Sequence, residues 1–457
     1  MSRPSTWFLL TTLLALGTAI GLWGWVGGEP WDAPPGLMGD DVYFENIAWE
    51  LLQGKGIAFD FGDEDWREPF RQWDRDDRFR WVLYLNHSGV TTSRSPGFPF
   101  VMAAIYRMAG RRFFLVRWFN AIVLWASLAT LILMTARWYG QIVAALALGT
   151  LSLDFFVLRT ASQFMTEALG TAILVWVFIS VVRLTRSPPK SVRRAIVAWF
   201  AVGWLFGFGT LVRANLNAWF LMIVCGIIVA SGIQALRRRD WQTIAGYGGC
   251  FIIGTLVVTT PWWVRNCYVT GGFAPFGTSG SFGLVGGYCD EAFDDFGNWN
   301  LKASVDCQQE AIQQPGFLKK TLAEQEYAMG RLSVQKSITW IRSNLERLPQ
   351  LMAMKGLSHL GFYRQPLPLE IINGLMLIGA LIGIIVFRRE IGFWVAIVLT
   401  MSILTACITW PHYGRYSLPI RPLVHVASAL GTVALWQMLL RKSFIRDQSI
   451  QTGAVGE

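Results

Sequence analysis

Long apolar runs separated by polar stretches organise this chain. Residues 5–25, 114–135, 142–158, 168–182, 195–211, 216–233, 243–260, 371–387, 391–409 and 418–440 are predominantly apolar. About 20 such residues cross the hydrocarbon layer as a helix, so about ten spans are expected. Ser93-Arg94-Ser95-Pro96-Gly97-Phe98-Pro99 leads into a further apolar segment ending at Met108. At about 14 residues it is too short for a full crossing and reads as a juxtamembrane or re-entrant helix. Arg3 before the first run fits a signal peptide, but the run is long and the later runs are equally apolar. An anchoring span is the better reading.

Gly39-Asp40-Asp41 follows the first run. Behind it, Phe44, Ile47, Ala48, Leu51 and Leu52 recur at three- and four-residue steps, which predicts an amphipathic helix stopped by Gly54 and Gly56. Residues 60–80 mix Asp, Glu and Arg with Trp66, Phe70, Trp73 and Phe79. A solvated, mobile surface is the expectation there. Residues 271–287 are rich in glycine but hold no GxxxxGK[ST], so a flexible loop is expected and a nucleotide cradle is not.

Basic clusters set the orientation, because cytoplasmic loops are enriched in Lys and Arg. Arg183, Arg186, Lys190, Arg193 and Arg194 form one cluster, and Arg237, Arg238 and Arg239 a second. Arg388 with Arg389, and Arg441 with Lys442 and Arg446, form two more. All four fall on one side if residues 96–108 do not cross. Both termini are then cytoplasmic, and residues 28–113 and 261–368 are two extracytoplasmic loops of a single membrane domain covering residues 1–457.

Composition agrees. Of 457 residues, 53% are hydrophobic and 15% charged, against about 25% charged in soluble domains. The net charge of +10 resolves into the loop clusters, which removes a nucleic-acid reading. Six cysteines follow no metal-ligand spacing. Cys289 and Cys307 share one polar loop and are the first candidates for a disulfide if that loop faces an oxidising compartment.

This orientation gathers Asp40, Asp41, Arg94, Glu167, Arg213, Arg265, Lys355, Arg415 and Arg421 on the outer side. Arginine at outer span ends opposes the positive-inside trend and is costly within the membrane, so each is a site candidate. Snorkelling to headgroup phosphate is the alternative for any one of them. Asp40, Asp41 and Glu167 stand at helix starts, where capping and the helix dipole compete with a chemical role.

Five stretches, taken in order, carry a family likeness. They are Asp40-Asp41-Val42-Tyr43, Arg94 to Pro99, Thr166-Glu167, Pro261-Trp262-Trp263-Val264-Arg265-Asn266, and Arg415-Tyr416-Ser417-Leu418-Pro419-Ile420-Arg421-Pro422. Together they resemble the GT-C membrane glycosyltransferases, in particular bacterial relatives of protein O-mannosyltransferases and the lipid A aminoarabinose transferase. Gly287-Tyr288 and Asn344-Leu345 depart from the Gly-Asn and Asn-Pro frequent in that family.

The resemblance implies an all-α polytopic fold, a GT-C-like bundle with extracytoplasmic juxtamembrane helices, in a bacterial inner membrane. It implies transfer of a hexosyl or pentosyl group from a polyprenyl-phosphate donor to a glycan, lipid or protein acceptor outside the cytoplasm. Asp40 becomes the general base of an inverting transfer, a role worth roughly 10²–10⁴-fold. Asp41 would orient Asp40 or share a divalent cation with it, although two carboxylates alone make a poor cation site. Arg94, Arg265 and Arg415 are implied as phosphate ligands, since guanidinium groups suit phosphate. Tyr43, Glu167, Arg213, Lys355 and Arg421 are implied as further substrate contacts.

Three other classes compete. A polymerase or ligase of lipid-linked glycans would rest on arginines and His412 more than on Asp40. A flippase of lipid-linked sugars would carry internal repeats and carboxylates in mid-span. No repeat is visible, and the acidic residues sit at span ends. A scaffold would gain nothing from the buried charge.

Overall fold

The structure is a computed structural model describing all residues except 1–3, 28–29, 37–38, 74–87, 218–240, 363–365, 389–390, 410, 412–414 and 454–457. In chain order, α1 (Thr6–Gly27) leads to α2 (Asp41–Leu52), strand β1 (Ala58–Phe59), α3 (Glu64–Gln72), strand β2 (Gly89–Val90) and α4 (Gly97–Ala109). Then come α5 (Phe113–Tyr139), α6 (Gln141–Ser152), α7 (Phe155–Leu158), α8 (Glu167–Arg186), α9 (Val192–Val212) and α10 (Trp241–Thr270). The second long loop holds α11 (Ser279–Phe282), α12 (Asp290–Asp294), α13 (Leu301–Ile312), α14 (Leu322–Ser343) and α15 (Leu348–His359). Helices α16 (Leu367–Val386), α17 (Ile391–Ile408) and α18 (Arg421–Gly453) follow.

Among the described residues, eight helices are long and apolar enough to cross a bilayer: α1, α5, α8, α9, α10, α16, α17 and α18. Helices satisfy their backbone groups internally, which is why lipid admits them. This is a multi-pass, all-α membrane protein. The span expected over residues 216–233, and the Arg237–Arg239 cluster with it, fall almost wholly outside the described residues. Helix α4 is short and apolar, matching the expected juxtamembrane segment.

Two spans differ from the sequence expectation. The run over 142–158 is not one straight helix, because the chain turns by 70° between α6 and α7. Asp154 sits at the break. Its Oδ1 caps α7 by accepting the Val157 N–H at 3.2 Å, and its Oδ2 accepts from Arg421 Nε at 2.7 Å and lies 2.9 Å from His425 Nε2. A carboxylate at this depth needs such partners, so the rule that acidic residues sit at span ends has an exception here. The second difference is α10, which runs through Pro261 to Thr270. Arg265 and Asn266 therefore lie on its last turns and not in a loop. Spanning helices tolerate such a proline where neighbours satisfy the freed backbone groups.

Close helix packing uses missing side chains. On α9 and α10, a Cβ added to Gly203 would strike the Phe251 carbonyl, and one added to Gly254 would strike that of Phe200. Small residues let backbones approach in this way in lipid. By contrast, α16 leaves Leu375, Ile378, Leu381 and Ile385 exposed, a surface suited to acyl chains.

The two long loops pack as one polar-capped layer. Val42, Tyr43 and Ile47 of α2 share an apolar cluster with Phe59, Trp66 and Phe70, and the second loop adds Phe317, Leu322 and Met329. Strands β1 and β2 pair antiparallel, Ala58 opposite Val90, and close this layer. The expectation of a solvated surface over residues 60–80 fails at α3, where Trp66 and Phe70 are fully buried. Asp63 caps that helix, accepting the Trp66 N–H at 3.1 Å. Helix α2 is buried on its polar face as well, with Glu45 held by Arg111 at 2.8 Å. The glycine-rich stretch is built into α11 and a 3₁₀ turn over Leu284–Gly287. Cys289 and Cys307 are both free thiols, against the disulfide expectation. The Cys289 sulfur caps α12 and Cys307 is buried within α13.

Candidate active site

Asp40 stands in the N-cap position of α2, yet its side chain makes no capping hydrogen bond. It points to two arginines instead. Oδ1 accepts from Arg94 Nη2 at 3.0 Å, and Oδ2 accepts from Arg415 Nη1 at 3.0 Å. The Asp40 side chain is 36% exposed. This carboxylate is bonded from two sides, stays partly open to solvent and does not cap its helix.

Arg94 arrives on the segment between β2 and α4. Its guanidinium lies 4.6 Å above the Tyr43 ring and also donates to the Ser93 carbonyl at 3.0 Å and Ser279 Oγ at 3.2 Å. Arg415 comes from a 3₁₀ turn, Arg415–Ser417, ahead of α18. Its Nε donates to Glu167, the first residue of α8. Burial lowers the Arg415 pKa, but the carboxylates of Glu167 and Asp40 outweigh burial, so the net shift is upward and the guanidinium stays charged.

Glu167 is 1% exposed and also pairs with Arg213 Nη1 at 3.1 Å. Arg213 reaches it from the end of α9, and a Cβ on Gly170 would run into the Arg213 side chain. Arg94, Asp40, Arg415, Glu167 and Arg213 thus form an alternating row. Three guanidiniums against two carboxylates leave one excess positive charge (3 − 2 = 1).

Of the other expected site residues, only Tyr43 is shown in contact with this row. Asp41 turns back to its own loop, where Oδ2 accepts the Gly36 N–H at 2.9 Å. Tyr43 is buried beneath Arg94. Arg265 is pinned on backbone, donating to the carbonyls of Thr91 and Ile57, each at 3.0 Å. Lys355 is completely buried on α15. Its Nζ donates to the Thr409 carbonyl at 2.7 Å and sits 3.6 Å from the centre of the Tyr288 ring. Burial brings its pKa down to about 7. Arg421 pairs with Asp154, away from Asp40. His412 lies outside the described residues.

Asp40 and Asp41 do not fit a divalent cation as they stand. Both Asp40 oxygens face guanidiniums, and Asp41 does not converge with them. Among the described residues, one other group of three carboxylates, Glu50, Asp60 and Asp63, comes close together. Lys55 already stands among them, at 3.1 to 3.5 Å.

Sequence reading missed Asp154, His425 and Glu326. Asp154 had a signal, a lone carboxylate within an apolar run. Glu326 had none, since its partners Thr91 and Thr92 are more than two hundred residues away and Thr278 is 48 away.

In overall backbone course the chain is similar to the Archaeoglobus fulgidus oligosaccharyltransferase AglB, solved with an inhibitory peptide and a dolichol-phosphate. The TM-score is 0.53 at 13% identity, over 97% of this chain and 52% of that one. The apo form of the A. fulgidus oligosaccharyltransferase gives 0.54 at 13% identity, over the same shares. The chain has the GT-C membrane fold. A weaker likeness, TM-score 0.38 at 14% identity, relates it to ArnT from Cupriavidus metallidurans bound to undecaprenyl phosphate, over 93% of this chain and 77% of that one. This chain spans about half the length of the archaeal chains it matches. No family model and no curated protein matches its sequence.

Proposed function

We propose that this protein transfers a sugar from a polyprenyl-phosphate-linked donor to an acceptor at the outer face of a bacterial inner membrane, with Asp40 as general base. The observation that carries the reading is a partly exposed carboxylate held between two guanidiniums within a GT-C fold. The AglB structure holds a dolichol-phosphate and an inhibitory peptide, and another structure of the A. fulgidus oligosaccharyltransferase is tethered to an acceptor peptide, so a lipid phosphate and a peptide acceptor are ligand kinds that this fold accommodates.

In this reaction the acceptor hydroxyl attacks the anomeric carbon as the bond to the lipid phosphate oxygen breaks, with inversion. Asp40 takes the hydroxyl proton, and the electron pair of the breaking bond leaves with the phosphate. Arg94 and Arg415 border Asp40 and meet the charge that develops on that phosphate. Preorganised cations in a water-poor cleft are effective because they need no reorganisation at the moment of reaction. Glu167 and Arg213 hold Arg415 in place from behind. Residues 28–113 and 261–368 are the extracytoplasmic layer in this reading, and both termini are cytoplasmic.

Purified protein with polyprenyl-phosphate-linked sugars tests the proposal, together with mass spectrometry of envelope glycans and lipids from cells with and without it. Identical envelope profiles, combined with no transfer from any lipid-linked donor, would overturn it.

A further inference from the structure

The Arg94–Asp40 contact depends on a short, irregular segment, and one buried carboxylate organises that segment from a distance. Glu326 lies on α14 and is 1% exposed. Its Oε1 accepts from Thr91 Oγ1 at 2.5 Å. Its Oε2 accepts the Thr92 N–H at 2.8 Å, Thr92 Oγ1 at 3.2 Å and Thr278 Oγ1 at 3.4 Å. Backbone pairing joins the same two segments, with the Thr278 N–H donating to the Thr92 carbonyl at 3.2 Å. Gly277 enters this junction at φ +83°, where a Cβ would strike that carbonyl.

The chain positions just beyond the junction give it a functional meaning. Arg94 follows Thr92 by two residues, and Ser279 is the residue after Thr278. Those two side chains bind each other at 3.2 Å, and Arg94 places its other arm on Asp40. Arg265 adds a second anchor by donating to the Thr91 carbonyl. A stretch without helix or strand of its own is thereby fixed at two successive residues, Thr91 and Thr92. We propose that Glu326 is a positioning residue for the Asp40 site. It ties the segment before Arg94 to the segment before Ser279 and so aims the Arg94 guanidinium at Asp40.

Buried carboxylates are expensive unless every acceptor site is used. Threonine at 91, 92 and 278 supplies the donors here, and an apolar residue at 326 would leave these hydroxyls and the Thr92 N–H without their acceptor. Glu326 touches neither Asp40 nor Arg94. Its influence on Arg94 travels through the backbone and the threonine hydroxyls it holds.

The test uses the full chain in lipid nanodiscs, with Glu326→Gln and the milder Thr278→Val. Hydrogen–deuterium exchange is followed on peptides covering residues 89–100 and 274–286. In Glu326→Gln both segments exchange about tenfold faster or more, while α5 and α8 keep their protection. Thr278→Val gives a smaller change in the same two segments. The kinetic arm rests on the transferase reading. With a polyprenyl-phosphate sugar as substrate, kcat falls by up to about a hundredfold in Glu326→Gln, while KM for that donor changes less than about threefold. On an Arg94→Lys background, Glu326→Gln has little further effect, because the two residues act through one contact. Unchanged exchange in either segment overturns the proposal. So does a kinetic cycle in which the two substitutions simply multiply. A wild-type protein that transfers no sugar overturns the transferase reading instead, and the exchange arm still decides the role of Glu326.

Discussion

Arg415 and Asp40 are separated by 375 residues in sequence and by 3.0 Å in the fold. The same guanidinium also binds Glu167, so one cation joins a partly exposed carboxylate to a buried one. The geometry divides the labour. Glu167 is sealed from solvent and binds both Arg415 and Arg213, whereas the Asp40 side chain is 36% exposed.

Replacing Asp40 by Asn keeps the shape and removes the base. Sugar transfer should fall by roughly 10²–10⁴-fold, the usual worth of general-base catalysis. Affinity for a polyprenyl phosphate should hold within a few-fold, since Arg94 and Arg415 remain. A variant that transfers at the wild-type rate would remove Asp40 from the chemistry.

Glu167→Gln should act on stability first. Removing one partner of a buried pair strands the other charges, which costs about 3–5 kcal/mol. Here Arg213, only 3% exposed, is the stranded group. Adding Arg213→Met to Glu167→Gln should recover part of the loss, because the two effects are coupled. Thermal unfolding of the two single variants and the double variant measures this. Strict additivity would mean that the pair is not the stabilising unit.

Much of this architecture was legible in the sequence because membrane helices are long and uniformly apolar. Helices α1, α5, α8, α9 and α17 fall where their runs predicted. Asp40, Arg94 and Arg415 stood out for different reasons, Asp40 mostly through the family resemblance and the arginines also because charge near span ends is costly, and the fold brings the three together. What was not legible depends on tertiary partners. Trp66 and Phe70 looked solvated because their neighbours are charged, and only packing against α2 reveals their burial. Arg265 was implied as a phosphate ligand, and its Nη atoms donate to two backbone carbonyls of the first loop and to Asn266 Oδ1, contacts that only the fold reveals. Lys355 looked accessible within a polar loop and proved to be sealed under Tyr288.

That burial makes Lys355 a source of pH dependence. Its pKa is brought down to about 7 in the fold, against about 10.4 in an unfolded chain. Between those values the unfolded chain carries a proton that the folded one lacks, so stability rises with pH across the window. Below it both states are protonated and the contribution is flat at its lower level. Lys355→Met removes the contribution. The difference in unfolding temperature, wild type minus variant, should therefore increase between about pH 7 and pH 9. A constant difference over that range would mean that the ammonium is not disfavoured by burial.

The last prediction separates two arginines of one short stretch, Arg415 and Arg421. The family resemblance implies both as substrate contacts, since they lie in one matching stretch ahead of a span. The fold gives them different anions. Arg415 bonds Asp40, while Arg421 neutralises Asp154 at the break between α6 and α7, with His425 on the same oxygen. Asp154 is 1% exposed, so losing Arg421 leaves a buried carboxylate short of charge compensation. Arg421→Met should thus destabilise the protein by about 3 kcal/mol and leave donor KM and kcat near wild type in the fraction that remains folded. Arg415→Met should lower kcat sharply, because it removes a cation beside the reacting phosphate. Measuring unfolding and transfer on both variants decides the matter. If Arg421→Met unfolds like wild type but loses affinity for a polyprenyl phosphate, Arg421 belongs to the substrate site and its pairing with Asp154 is incidental.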